Sequence, residues 1–193
     1  MRIAFVIVSL ALVACTYPEL EGSTDANPGG CLAPATYGTT NMSTQAAKYW
    51  PPETNLPEAV TYLGKLNAAS PADFLDIELI QTAGGPFANG PTSTVINLTG
   101  AESSTSTCAG CVLVVAKCTS CTIGQGYEGS VYIATSGTLR ITQAGKTGSL
   151  AGMLTNVTLR HVNIDNNTGA SSFHPDNCMT QIASASFNAP IQQ

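Results

Sequence analysis

The sequence predicts an all-β protein, an antiparallel β-sandwich of about eight strands, jelly-roll or immunoglobulin-like, stapled by disulfides. Three observations predict it. Short runs rich in Val, Ile, Leu and Thr recur, separated by Gly, Pro, Ser or Asn, and several alternate apolar with polar residues. Beyond the first 14 residues no run carries a helical period of ordinary length. The third observation is Gly148 to Asp165, GSLAGMLTNVTLRHVNID, which is long for one strand and lacks Pro. Leu150, Gly152 and Leu154 share a face there; the phase slips across Thr155 and Asn156 to Val157 and Leu159, and again across Arg160 and His161 to Val162 and Ile164. One extra residue does this to a period of two, so the stretch predicts one bent strand with two β-bulges. A strand that exchanges faces can serve both sheets of a sandwich.

The chain opens with Met1-Arg2 and the apolar run Ile3 to Ala14. As a helix that run spans about 18 Å, too short for a hydrocarbon core of about 30 Å but suited to a signal peptide. Leu12-Val13-Ala14-Cys15 resembles a bacterial lipobox. The resemblance implies removal of residues 1–14, acylation of Cys15, and a lipid bilayer as the first partner. Such lipoproteins are often retained at the inner membrane by Asp after the Cys; Thr16 stands there, so the expected address is the outer membrane, periplasm-facing or surface-exposed. Multiple acyl chains would make the anchor permanent.

The whole chain carries 7 basic and 12 acidic residues. Loss of Arg2 deepens the negative balance, and only 10% of residues are charged at all. Such a chain is a poor partner for nucleic acid, which is excluded.

Residues 15–55 read as a lipidated Cys, a flexible acidic tether and an entry segment, with the sandwich occupying 56–193. Tyr17 to Gly30, YPELEGSTDANPGG, has almost nothing to bury, and order is expected to begin at Cys31. Thr44 to Trp50 is compatible with one helical turn, stopped by Pro51-Pro52. Trp50 is expected to cover an edge of the core.

In the body, Glu58 to Leu66 sets Val60, Tyr62 and Gly64 opposite Thr61 and Leu63. Phe74 to Gln81 places Leu75, Ile77 and Leu79 inward, with Asp76 and Glu78 forming an acidic outer face beside Asp73. Ser93 to Leu98 is a short strand, and Cys111 to Lys117 is apolar enough to be central and buried on both faces. Ser130 to Thr135 and Thr138 to Gln143 meet at Ser136-Gly137, and Ala144 to Gly148 is a hairpin loop. Thr180 to Phe187 aligns Ala183, Ala185 and Phe187.

The series YLGKLN, DFLDIELIQTAGGPF, the Cys-x-x-Cys entry to VLVVAK, then YIATSGTLRIT, GSLAGMLTNVTLRHV and ASASFNAPI resembles a group of uncharacterised lipoproteins of predatory and gliding bacteria. The resemblance runs from about Val60 to Ile191 and implies the same fold and location. It implies no activity and no catalytic residue.

Six further cysteines remain: Cys31, Cys108, Cys111, Cys118, Cys121 and Cys178. An even number in an exported chain favours disulfides. If residues 112–117 are extended, Cys111 and Cys118 lie ~23 Å apart, beyond the ~7 Å reach of a bridge. Cys108–Cys111 and Cys118–Cys121 then close locally, and Cys31–Cys178 follows by elimination. CAGC-x6-CTSC also has the look of two zinc knuckles, but an extended strand would hold them apart. A thioredoxin-like motif would need a helix after the pair.

No catalytic residue, resident metal or cofactor is expected. Of the two histidines, His161 falls at the second bulge, where it is expected to cap a sheet edge. A Ser-His-Asp set can be drawn in any chain so rich in Ser and carries no weight. Asp165, Asn167 and Asp176 have the spacing of the first, third and last ligands of a calcium loop, but Gly169 and Ala170 depart from its pattern. The expected function is a non-enzymatic binding or structural module at the envelope, its partner an envelope protein or glycan. The alternative is a calcium-dependent carbohydrate-binding or carbohydrate-active hydrolase.

Overall fold

The computed structural model describes residues 30–53, 57–123, 127–165 and 168–193. The expected signal peptide, Cys15, nearly all of the tether and Asn167 lie outside them.

The protein is an all-β, disulfide-stapled sandwich. Among the described residues there are ten strands, β1 (Thr36–Asn41), β2 (Gln45–Trp50), β3 (Ala59–Lys65), β4 (Ala72–Ile80), β5 (Thr94–Asn97), β6 (Gly110–Ser120), β7 (Glu128–Gln143), β8 (Ser149–Ile164), β9 (Ser171–Phe173) and β10 (Met179–Gln192), with one 3₁₀ turn at Gly100–Ser103. They pair in one continuous circuit: β2, β3, β4, β6, β7, β8, β10, and back to β2. β1 lies along β10, β5 along β7 and β9 along β8. The sheet is mixed, because β10 runs parallel to both β1 and β2 while every other pairing is antiparallel.

β1 and β2 correct the expectation of an entry segment running to residue 55. Gln45–Trp50 is a strand, not a helical turn. Six residues stopped by two prolines cannot support a helix nucleus. As a strand the segment pairs with β3 from Gln45↔Gly64 to Trp50↔Ala59 and buries Ala47 and Tyr49. Trp50 stays on the outer side, where its indole N–H donates to Thr61 Oγ1 at 3.1 Å and Lys48 Nζ sits 3.9 Å from the ring.

The interior is one apolar core fed by every strand of the circuit, including Tyr62, Leu75, Ile77, Leu79, Val112, Val114, Tyr132, Leu139, Leu154, Val157 and Phe187. Gly152 leaves the room that Phe187 fills: a Cβ there would stand 2.6 Å from the ring. β7 is a single strand where two were expected, bent at Gly137 (φ 112°). Opposite the bend lies Asn156 of β8 (φ 51°). The inner face changes phase at this level in three neighbouring strands: between Ala134 and Leu139, between Leu154 and Val157, and between Ile182 and Ala185. The register of β8 against β10 is therefore the same on both sides of the bend. For the same reason Ala183 is exposed, not aligned with Ala185.

The second expected bulge is absent. The pairings Tyr132↔His161, Ile133↔Arg160 and Ala134↔Leu159 run without interruption. His161 continues the inner face after Val157 and Leu159, while Val162 and Ile164 point outward and pack with Leu113, Val131 and Ile133. The apparent slip arose because a polar residue holds an inner position and apolar residues hold outer ones.

The outer side is buried in a second place. Cys118, Cys121, Ile123 and Tyr127 pack with Leu63, Phe74 and Val115. Asp76 is wholly buried there, which corrects the solvent-facing acidic strand. Asp73 lies on the inner face instead. It accepts the Lys117 N–H, the Tyr37 hydroxyl and the Asn67 amide, and so ties β1, β4 and β6 together.

Disulfides join Cys31 to Cys178, Cys108 to Cys111, and Cys118 to Cys121. Residues 112–116 are extended between the two local bridges and Lys117 turns in the left-handed region (φ 53°), so the two pairs stay at opposite ends of the run.

Candidate functional site

His161 and His174, 13 positions apart in sequence, meet because β9 folds back on the end of β8 through Val162↔Phe173. The backbone of His161 then holds both ends of the following loop: its N–H donates to Cys178 O and its carbonyl accepts from His174 N–H, each at 2.9 Å. Asn177 turns the loop in the left-handed region (φ 55°), which Asn tolerates better than most residues. The Cys31–Cys178 bridge fixes the loop's far end. Arg160 braces it from outside, donating to Asn177 Oδ1 at 2.6 Å with its guanidinium over the Phe173 ring.

This frame aims three side chains at one point. Asp176 Oδ2 lies 2.6 Å from His161 Nδ1 and 3.0 Å from His174 Nδ1. Its other oxygen accepts the Cys178 N–H at 2.9 Å. The two imidazoles stack with centroids 4.3 Å apart, and Tyr132 stacks on the far face of the pair, 4.9 Å from His161. Tyr132 itself accepts the Ala33 N–H, so the entry segment reaches the same cluster. Burial works against the Asp176 carboxylate, but the Cys178 N–H and the two histidines outweigh it and hold the carboxyl below its usual range. Exposure grades from His161, at 8% of its side chain, to His174 at 28% and Asp176 at 33%, so the cluster opens to solvent on one side. Two imidazole nitrogens and a carboxylate oxygen within 4.8 Å of one another can share protons or chelate a cation.

Sequence reasoning placed His161 at a sheet edge in solvent, whereas it is an inner-face residue. Asp165 and Asp176 share only the spacing of a calcium loop, whose pattern Gly169 and Ala170 break, and the structure separates their roles. Asp165 Oδ1 accepts the Thr168 N–H and hydroxyl, closing its own turn, while Asp176 turns to the histidines. The knuckle cysteines hold no open zinc site, since their sulfurs are bonded to each other in pairs.

A second polar group lies under the outer layer. Burial, and then the neighbouring Glu78 charge, push the Asp76 carboxyl well up, with the Tyr127 hydroxyl opposing; burial pushes Glu78 up to about 7. Its effect falls on stability.

No family model, curated protein or solved structure matches the chain.

Proposed function

We propose that this chain is an envelope lipoprotein, acylated at Cys15 on the outer membrane, whose sandwich serves as a non-enzymatic binding or structural module. One observation supports the reading above others: the longest-range covalent bond sits where the tether enters. Cys31 is bridged to Cys178, 147 positions away, at the start of β10, and β10 pairs with β1, β2 and β8. A pull on the tether therefore passes into the strand that closes the circuit. Three bridges also suit the oxidising compartment outside the inner membrane.

Cys15→Ser tests the anchor. Membrane fractionation and mass measurement should show an unprocessed or released protein. Unchanged fractionation and mass would refute the lipid reading. The soluble variant, offered envelope glycans and proteins, should bind without turning any over; turnover would overturn the non-enzymatic reading.

A further inference from the structure

We propose that His161, His174 and Asp176 form a binding site for one divalent first-row transition ion, zinc in particular. The donors are the two Nδ1 atoms and Asp176 Oδ2. Imidazole nitrogen and carboxylate oxygen are the donor set that zinc and its neighbours take. Calcium and magnesium prefer sites made of oxygen alone.

The separations from Asp176 are close to what such an ion needs. Around a tetrahedral zinc with bonds of about 2.0–2.1 Å, donor atoms stand roughly 3.3 Å apart. Here the carboxylate oxygen lies 2.6 Å and 3.0 Å from the two nitrogens. To admit the ion these separations open by about half an ångström, with each imidazole proton moved to Nε2 so that both Nδ1 lone pairs are free. The contacts that support Asp176 and His161 do not involve their donor atoms, whereas His174 Nδ1 accepts the Asp176 N–H at 3.4 Å and its ring stacks on His161, so the more exposed His174 gives up that contact and turns to direct its lone pair at the ion. The Cys178 N–H orients Asp176 through its other oxygen. Tyr132 fixes the plane of His161 by stacking. Backbone hydrogen bonds from His174 and to Cys178 hold the loop against β8. Second contacts of this kind are what make a metal site selective and tight.

The cluster also costs something as a purely structural device. It places a polar ring on the inner face of β8, where Val157 and Leu159 precede it, and gathers both histidines of the chain around one carboxylate. A metal gives that arrangement a purpose. Three protein ligands and a solvent-facing side leave the fourth position to water or to a donor atom from a bound partner.

The test uses tag-free full-length chain, since a polyhistidine tag would compete. Protein is incubated with Zn²⁺, passed through gel filtration in metal-free buffer, and its metal measured; Co²⁺ in place of zinc reports geometry through visible absorption. His174→Ala and Asp176→Asn remove donors on the open side without touching the buried His161. The expected result is one zinc per chain, with affinity falling at least about tenfold in each variant while circular dichroism is unchanged. Asp165→Asn, which alters the neighbouring loop but no donor, should bind like the parent. The proposal is overturned if the parent retains no metal, if both donor variants bind as tightly as it does, or if Asp165→Asn alone loses the ion.

Discussion

Removing the Cys31–Cys178 bridge should cost more stability than removing either local bridge, although all three have the same chemistry. In the chain-entropy account a disulfide acts by denying the unfolded chain its freedom, and the effect grows with the logarithm of the loop closed. Cys31 and Cys178 are 147 positions apart, whereas Cys108–Cys111 and Cys118–Cys121 each span three. The relation gives about 5 kcal/mol for the long loop and about 2 kcal/mol for each short one. Five kcal/mol is the lower end of the whole stability of an ordinary domain, about 5–15 kcal/mol, so the long-bridge variant should sit near the edge of folding. Alanine pairs are the appropriate substitutions, because Cys118, Cys178 and both cysteines of the Cys108–Cys111 pair are buried and serine would add an unpaired hydroxyl. Denaturant unfolding of a soluble Cys15→Ser background would give the three losses side by side. If Cys31→Ala/Cys178→Ala loses no more than Cys118→Ala/Cys121→Ala, the entropic reasoning is wrong for this fold.

Two further outcomes follow from the core. Asp76 and Glu78 have carboxyls raised by burial, so the folded state holds protons that the unfolded state releases. The Glu78 contribution is present in full below the unfolded value near 4.5 and is lost as pH rises through about 7, and Asp76, also raised, acts in the same direction. Denaturation midpoints should therefore fall across that window, and Glu78→Gln should flatten the fall and raise the midpoint on the alkaline side; an unchanged slope in the variant would count against it. Gly137→Ala should destabilise by about 3 kcal/mol or more, since a Cβ there would lie 2.6 Å from Val157 Cα at a φ of 112°. Gly145→Ala, whose Cβ would meet nothing nearer than 3.4 Å, is the control and should shift the midpoint little.

The elements legible in the sequence were those whose side chains alternate against one core. β3, β4 and most of β8 satisfy that rule; β6 was legible instead as an unbroken apolar run buried on both faces, and its extension as far as Ala116 made the cysteine pairing tractable. β1 and β2 were not legible. Thr36–Asn41 has no apolar face of its own and becomes a strand by lying along β10, a partner about 145 residues away. The outer layer was hidden for a related reason. Alternation says which side of a strand a residue takes, not whether that side meets water, so Asp76 read as exposed and Val162 as displaced. The histidine cluster needed the β8–β9 return, the left-handed turn at Asn177 and the Cys31–Cys178 bridge together, and no local pattern encodes that combination.

Those same contacts bring Cys31 and the histidine cluster to one end of the domain. Cys178 follows Asp176 by two residues, gives it a backbone hydrogen bond and is bonded to Cys31. Two residues beyond Cys31, the Ala33 N–H donates to the Tyr132 hydroxyl, and the Tyr132 ring stacks on His161. Two short paths, one covalent and one through a hydrogen bond and a ring stack, thus connect the Cys31 end of the described chain to the donor atoms. Were Cys15 lipidated, as proposed, the cluster would lie at the end of the sandwich that receives the tether. An ion or partner held there would then stiffen the junction on which the domain hangs, and so bear on how the module stands relative to the membrane. Binding and anchoring would be parts of one device at this end of the fold, because they share Cys178 and Tyr132.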